Sequence, residues 1–273
     1  MWGRVLGTLF GFMFGRVFGA ILGFYVGYLF DRRLRQNFDE KGGFSRYFKA
    51  AGAKARQAIF FHSTFSVMGH IAKSNGRVNE THIQAANVIM GFMKLDDSQK
   101  KEAQASFREG KGDDFAFAKT LKDFKSSVFG RKELLQVFLE VQIQAAYSDG
   151  TISAQEKQLL QSVAKTFGFT DTELEAILKR WEAEFRFHQE QYQNGNGKGR
   201  TASKSALEDA YKVLGVKADS SSQDIKKAYK KQMNQHHPDK LMSKGLPPEM
   251  MDMAKRKAQD IQAAYDLVRQ KAA

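Results

Sequence analysis

From Val5 to Phe30 the chain runs for 26 residues of apolar and glycine character, interrupted only by Thr8 and Arg16. Wound as a helix, such a run is about 39 Å long, enough to cross a bilayer core of about 30 Å with some tilt. A cleaved leader peptide is excluded by the length, by the lack of a small-residue cleavage pattern, and by a basic flank reduced to Arg4. Arg32, Arg33 and Arg35 follow the run at once, so the positive-inside rule places the rest of the chain on the cytoplasmic side. Arg16 lies near mid-span, where insertion costs about 2.5–3.5 kcal/mol. A span starting after it has 14 residues, about 21 Å, and is too short. Snorkelling or a facing partner helix would each accommodate Arg16.

Glycine recurs every fourth residue at Gly3, Gly7, Gly11, Gly15, Gly19, Gly23 and Gly27. Overlapping small-xxx-small patterns let two helix backbones approach closely in lipid. A four-residue period drifts about 40° per step on a helix of 3.6 residues per turn, so the groove slants and suits a right-handed crossing. The expectation is a homodimer of the anchor through Gly7, Gly11, Gly15, Gly19 and Gly23. Residues 36–58 are polar and basic with Phe44, Tyr47 and Phe48 interleaved, as in a segment lying near lipid headgroups.

The remainder is predicted to be all-α. All three prolines (Pro238, Pro247, Pro248) lie near the C-terminus, and no strand-rich segment competes with helical periodicity before them. Between residues 57 and 192, apolar positions recur at Phe61, Phe65, Met68 and Ala72, at Ile83, Ala86, Met90 and Met93, and at Leu134, Phe138, Val141 and Ala145. The absence of cysteine rules out disulfides and thiolate zinc sites. The net charge of +13 is split as +5 over residues 1–50, +1 over 51–192 and +7 over 193–273. With no base-stacking aromatics in a basic patch and no groove-reading motif, nucleic acid is not an expected partner.

The central region repeats itself. Met68 to Val78 matches Gln142 to Ile152 at an offset of 74, aligning Asn75-Gly76-x-Val78 with Asp149-Gly150-x-Ile152. Each copy reads helix, Asx-Gly turn, helix. Asp149-Gly150-x-Ile152-x-x-x-Glu156 equals the second half of an EF-hand loop, but Ala145 and Tyr147 stand where oxygen ligands are needed. His82 replaces the glutamate in the first copy. No metal site is expected; Asp149 and Glu156 read as residues that tie down an interhelical turn. Gln189 to Ser205 is rich in Gln, Asn, Gly and Ser, the composition of a flexible linker with a reach of about 20 Å.

The last segment opens with a short helix over Leu207–Leu214 stopped by Gly215. A second follows, with Ser221 as N-cap, Asp224 in the capping-box position, and Ile225, Ala228 and Tyr229 on one face. Lys226/Lys230 and Lys227/Lys231 stack on the opposite, solvated face. A third helix runs from Met253 to Val268, antiparallel to the second, and His237-Pro238-Asp239 sits at the tip between them. The set Tyr211-x-Val213-Leu214-Gly215-Val216, Ile225-Lys226-Lys227-Ala228-Tyr229, His237-Pro238-Asp239 and Ala264-Tyr265 closely resembles a J-domain. J-domains usually carry leucine where Gln232 stands, which predicts looser packing near the end of the second helix. The central region resembles a TerB-like helical domain. The order of anchor, TerB-like region and J-domain resembles the DjlA family of membrane-anchored DnaJ-like proteins.

These resemblances divide the chain into an anchor (1–31), a juxtamembrane segment (32–56), a TerB-like domain (57–190), a linker (191–204) and a J-domain (205–273). They imply a co-chaperone of the bacterial inner membrane, single-pass, with its C-terminal domains in the cytoplasm. Its partners would be membrane lipid and a DnaK-type chaperone whose ATP hydrolysis it stimulates. His237, Pro238, Asp239, Lys226, Lys227, Lys230 and Lys231 would bind DnaK, with no cofactor and no catalytic residue. Two other readings stand beside this one: a TerB-like metal or stress sensor, and a dimeric membrane scaffold, each with the J-domain secondary.

The glycine row yields a direct prediction. Leucine at Gly15 should block close helix approach and weaken self-association of the isolated anchor in detergent, as read by cross-linking or energy transfer. Undiminished dimerisation with leucine at Gly11, Gly15 and Gly19 in turn would contradict the proposed crossing.

Overall fold

Helix follows helix through the whole of the described chain. The structure, a computed structural model, describes residues 52–193 and 204–272, and within them every regular element is helical. The expected membrane span, its glycine row and most of the juxtamembrane segment lie outside the described residues. Among the described residues no helix is long and apolar enough to cross a membrane.

Seven helices come first: α1 (Ala53–Lys73), α2 (Glu80–Phe92), α3 (Asp97–Gly110), α4 (Phe117–Ser127), α5 (Lys132–Ala146), α6 (Ala154–Phe167) and α7 (Asp171–Gln193). Their interior is built on phenylalanine. Phe60, Phe124, Phe138 and Phe167 form one cluster, with ring centroids 5.2 Å apart for Phe60–Phe124, 4.3 Å for Phe124–Phe138 and 5.4 Å for Phe138–Phe167. The expected apolar positions are buried, with one exception. Ile83 is 47% exposed, and His82 takes the inward position beside Ala86, Ile89, Met90 and Met93. Hydrophobicity alone selects Ile83, but a buried partner for the imidazole reverses the choice.

That partner lies in the other copy of the repeat. Asn79 caps α2 by accepting from His82 N at 2.9 Å, and Ser153 caps α6 by accepting from Glu156 N at 3.2 Å. These are equivalent positions in the two copies, and the two helix starts face one another. His82 Nε2 lies 3.1 Å from Glu156 Oε1, both side chains being buried. Asn75 and Ser153 exchange hydrogen bonds at 3.0 and 3.2 Å. Gly76 and Gly150 supply the left-handed turn in each copy, at φ of 86° and 91°. The repeat is thus also a contact: its copies meet turn to turn.

The C-terminal helices are α8 (Lys204–Leu214), α9 (Ser222–His236), the short α10 (Pro238–Ser243) and α11 (Met251–Ala272). Gly215, at φ 75°, ends α8, and Val216 N returns to the Tyr211 carbonyl at 3.0 Å. Ser221 caps α9 by accepting from Asp224 N, while the Asp224 carboxylate takes the Ser221 hydroxyl at 2.7 Å. Ala210, Val213, Leu214, Ile225, Ile261, Ala264 and Val268 close a small core. Tyr229 stacks on Tyr265 with centroids 4.2 Å apart and donates to Gln262 at 2.6 Å.

Ala183 and Phe187, on the second half of α7, complete that same core. The first half of α7 buries Leu174, Ile177 and Leu178 among the preceding helices. The compact unit therefore extends from Ile59 to the C-terminus, with α7 common to both of its halves. Of the linker expected from composition, α7 takes residues up to Gln193 and α8 resumes at Lys204.

One tight crossing tests the packing. A Cβ on Gly110, at the end of α3, would fall 1.7 Å from the Ser66 carbonyl oxygen on α1. Backbone cannot yield as a flexible side chain does, so Gly110→Ala should cost about 1–3 kcal/mol or more. Gly91→Ala, with open space around its Cβ, serves as the control. Equal urea midpoints for the two variants would contradict this packing.

Candidate functional site

The tripeptide sits where α9 breaks. His237 is extended at φ −61°, ψ 125°, as the residue before proline must be. Its N–H still bonds back to Met233 at 2.8 Å, which closes α9. Pro238 then occupies the first turn of α10, where a missing N–H costs nothing. His237 Nδ1 accepts from Asp239 N at 3.2 Å, so the imidazole itself caps α10 and is held in place. Sequence reasoning expected only a loop here; the proline that ends one helix starts another.

Pro238 is buried, His237 half-buried and Asp239 exposed. His237 and Pro238 line a shallow groove with Met233 of α9 and Ala258, Gln262 and Ala263 of α11. Lys226, Lys227, Lys230 and Lys231 are all exposed on the far side of α9 from Ile225, as the helical spacing requires. The structure therefore brings the expected residues together as one basic helix face leading to a capped, partly open turn.

Behind that turn lies a group that sequence reasoning missed. Gln232, just over one turn back from His237 along α9, and His236, directly before it, are buried against α5 and α7. With its amide oxygen turned toward α7, Gln232 accepts from Arg180 Nη2 at 3.0 Å and from Nε at 3.3 Å. The expected looseness at Gln232 is absent: the departure from leucine is matched by an arginine from outside the J-like region. His236 Nε2 lies 3.4 Å from Gln136 Nε2 and 3.7 Å from Glu140 Oε1. On α11, Lys257 bridges Glu184, in direct contact, and Glu140 Oε2 at 3.5 Å.

Burial alone would push the Glu140 carboxyl up, but Lys257, His236, Gln136 and Arg180 together hold it at about 2. Burial lowers His236 to about 4, so its ring is neutral at physiological pH. The Lys257 ammonium stays charged because Glu140 and Glu184 outweigh its burial. Burial pushes the Glu184 carboxyl up beyond what Lys257 recovers.

Further along the same seam, Arg186 clasps Asp209 through Nε and Nη2 at 3.1 and 2.9 Å, and His188 Nε2 meets Asp260 at 2.7 Å. Lys94 pairs with Asp252 at 2.6 Å, Lys244 with Glu133 at 2.8 Å, and Arg256 lies 4.3 Å over the Phe92 ring. The only signal for this group in the sequence was Gln232 itself.

The half EF-hand behaves as a turn. Asp149 Oδ1 accepts from Thr151 N at 3.1 Å. Both oxygens of Glu156 are engaged, Oε1 with His82 and Oε2 with Ser153 N at 2.9 Å. Among the described residues no group of three or more His, Asp or Glu is placed to hold a metal ion.

Comparison with known proteins accounts for this arrangement. Residues 1–46 match the family described as the co-chaperone DjlA transmembrane domain, residues 62–179 the tellurite resistance protein TerB, and residues 209–272 the DnaJ domain. The chain is 50% identical over 269 residues to the co-chaperone protein DjlA of Shewanella oneidensis, covering 98% of this chain and 97% of that one. It is 47% identical over 272 residues to the DjlA of Photobacterium profundum, covering 98% of each. With that of Aliivibrio fischeri it shares 48% over 278 residues, covering 98% of this chain and 97% of the other. No solved structure matches. Residues 180–208, which include the second half of α7, fall outside both helical family matches. A membrane-anchor domain, a TerB domain and a DnaJ domain in this order, with such identity over nearly the full length, mean that the chain belongs to the DjlA family of membrane-anchored J-domain co-chaperones.

Proposed function

We propose that this protein binds a DnaK-type chaperone through the α9 lysine face and the His237-Pro238-Asp239 turn, and stimulates ATP hydrolysis by that partner. The observation that carries the reading is the exposure of Lys226, Lys227, Lys230 and Lys231 beside a turn whose imidazole is fixed by capping. A band of four cations steers an acidic surface and sets its register, contributing mainly to association rate and orientation. Asp239 and the accessible part of His237 then act on the partner by preferring one of its conformations, since a ligand shifts an equilibrium only through differential affinity. The chain supplies no catalytic group in this scheme and is not an enzyme; hydrolysis takes place in the partner.

The anchor is a single pass through the bacterial inner membrane with α1 to α11 in the cytoplasm, supported by Arg32, Arg33 and Arg35. Its glycine row makes it a homodimer, and the basic segment after it lies on membrane lipid. Nucleic acid is not a partner.

The test is single-turnover ATP hydrolysis by a DnaK-type chaperone, titrated with the full chain in detergent micelles. His237→Gln and Asp239→Asn should each lose more than about tenfold of the stimulation with near-normal helicity, as surface changes usually allow. Charge reversal at Lys226 and Lys230 should instead raise the half-maximal concentration at low salt, with a smaller effect at high salt. Full stimulation by well-folded His237→Gln would overturn the assignment.

A further inference from the structure

The tripeptide turn is not held by the J-domain alone. The last turns of α9 are gripped through Gln232 by Arg180 of α7, and through His236 by Gln136 and Glu140 of α5. At the same level α11 is gripped through Lys257 by Glu140 and by Glu184 of α7. Glu140 thus touches both α9 and α11, the two helices that line the groove beside the turn, and does so from the TerB-like domain. Arg180 and Glu184 lie beyond residue 179, in the part of α7 that neither helical family match includes.

The character of these contacts matters as much as their number. A tether needs only an apolar patch, and Ala183 and Phe187 already provide one. Buried ionic groups add little net stability over apolar replacements, but they tolerate a single geometry, and breaking one leaves an uncompensated charge. Here the charged Arg180 and Glu140 meet the neutral Gln232 and His236 at the end of α9 adjoining the tripeptide. The hold leaves the partner-facing side open: the four lysines and Asp239 are exposed while the grip is closed.

We propose that Arg180, Glu140 and Glu184 are positioning residues for His237-Pro238-Asp239, so that the TerB-like domain sets the orientation in which the turn is presented to the partner chaperone. Release of the grip leaves the J-domain folded and its lysine face intact, but lets the turn sample orientations that do not act on the partner. This proposal rests on the co-chaperone reading above.

Gln232→Leu is the most informative variant, because it gives the J-domain the residue that similar domains carry while removing the acceptor for Arg180. In the full chain, assayed by single-turnover ATP hydrolysis of a DnaK-type chaperone, Gln232→Leu and Arg180→Met should each lower the maximal stimulation at least threefold. The half-maximal concentration should stay within about twofold, since the steering charges are untouched. The double variant should be no worse than either single one, and Gln232→Glu, which restores an acceptor for Arg180, should recover activity. Amide hydrogen exchange across residues 232–242, measured without any partner, should quicken in both single variants. If the wild-type chain stimulates and the two variants match or exceed it, or if exchange at 232–242 is unchanged, the positioning role is wrong while the co-chaperone reading stands. If the wild-type chain itself fails to stimulate, both fall.

Discussion

Helix α7 is shared by two cores, and the architecture of the described chain follows from that. Its first half contributes Leu174, Ile177 and Leu178 to the phenylalanine-rich bundle, and its second half contributes Ala183 and Phe187 to the J-domain. A helix is stiff over its 23 residues, so two cores that bury opposite ends of it cannot turn independently while both remain closed. At about 25 cal/mol per Å² of apolar surface, exposing a fully buried phenylalanine such as Phe187 costs about 2–3 kcal/mol before any ion pair is counted. The J-domain is therefore a four-helix unit, α8 to α11, with a borrowed fifth helix.

The ionic contacts along this seam are of two kinds. Lys94–Asp252 and Lys244–Glu133 are partly exposed pairs of the sort that contribute little to stability. The cluster of Glu140, Glu184, Lys257 and His236 is buried, and its members are useful only together. Its neutral His236 marks how dry the site is: an imidazole 3.7 Å from a carboxylate would ordinarily gain a proton, and burial prevents it. The two turns of the repeat are a second buried polar contact, in which His82 and Glu156 lock α2 to α6 at the point where a metal-binding relative of this loop would place its ion.

What the sequence disclosed, and what it concealed, follows from the range of each interaction. Local chemistry was readable: Ser221 as a cap, Gly215 as a stop and the lysine face of α9 depend only on residues within a turn or two. The C-terminal helices were shorter in prospect than in fact, because end residues such as Met251 and Ala272 carry little periodic signal. Long-range pairings were not readable. Nothing near His82 announces that Glu156, seventy-four residues on, will draw it inward and leave Ile83 at the surface. Ala183 and Phe187 fall within the region read as helical, but periodicity reports that a face is buried and never against what. Gln232 was the one visible signal, and it was read as looser packing; the polar side chain at an apolar position instead meets a distant partner, Arg180.

The account stands or falls on whether the TerB-like and J-domains move as one body. Because the chain has no cysteine, spin labels can be attached uniquely at exposed positions such as Lys165 on α6 and Gln223 on α9, each replaced by cysteine. The distance distribution between them, measured by pulsed dipolar spectroscopy on the full chain, should be a single narrow peak. It should stay narrow when glycine and serine residues are inserted between Asn194 and Ser203. A broad distribution that widens with linker length would show two domains joined only by a tether, and would contradict the shared-helix account.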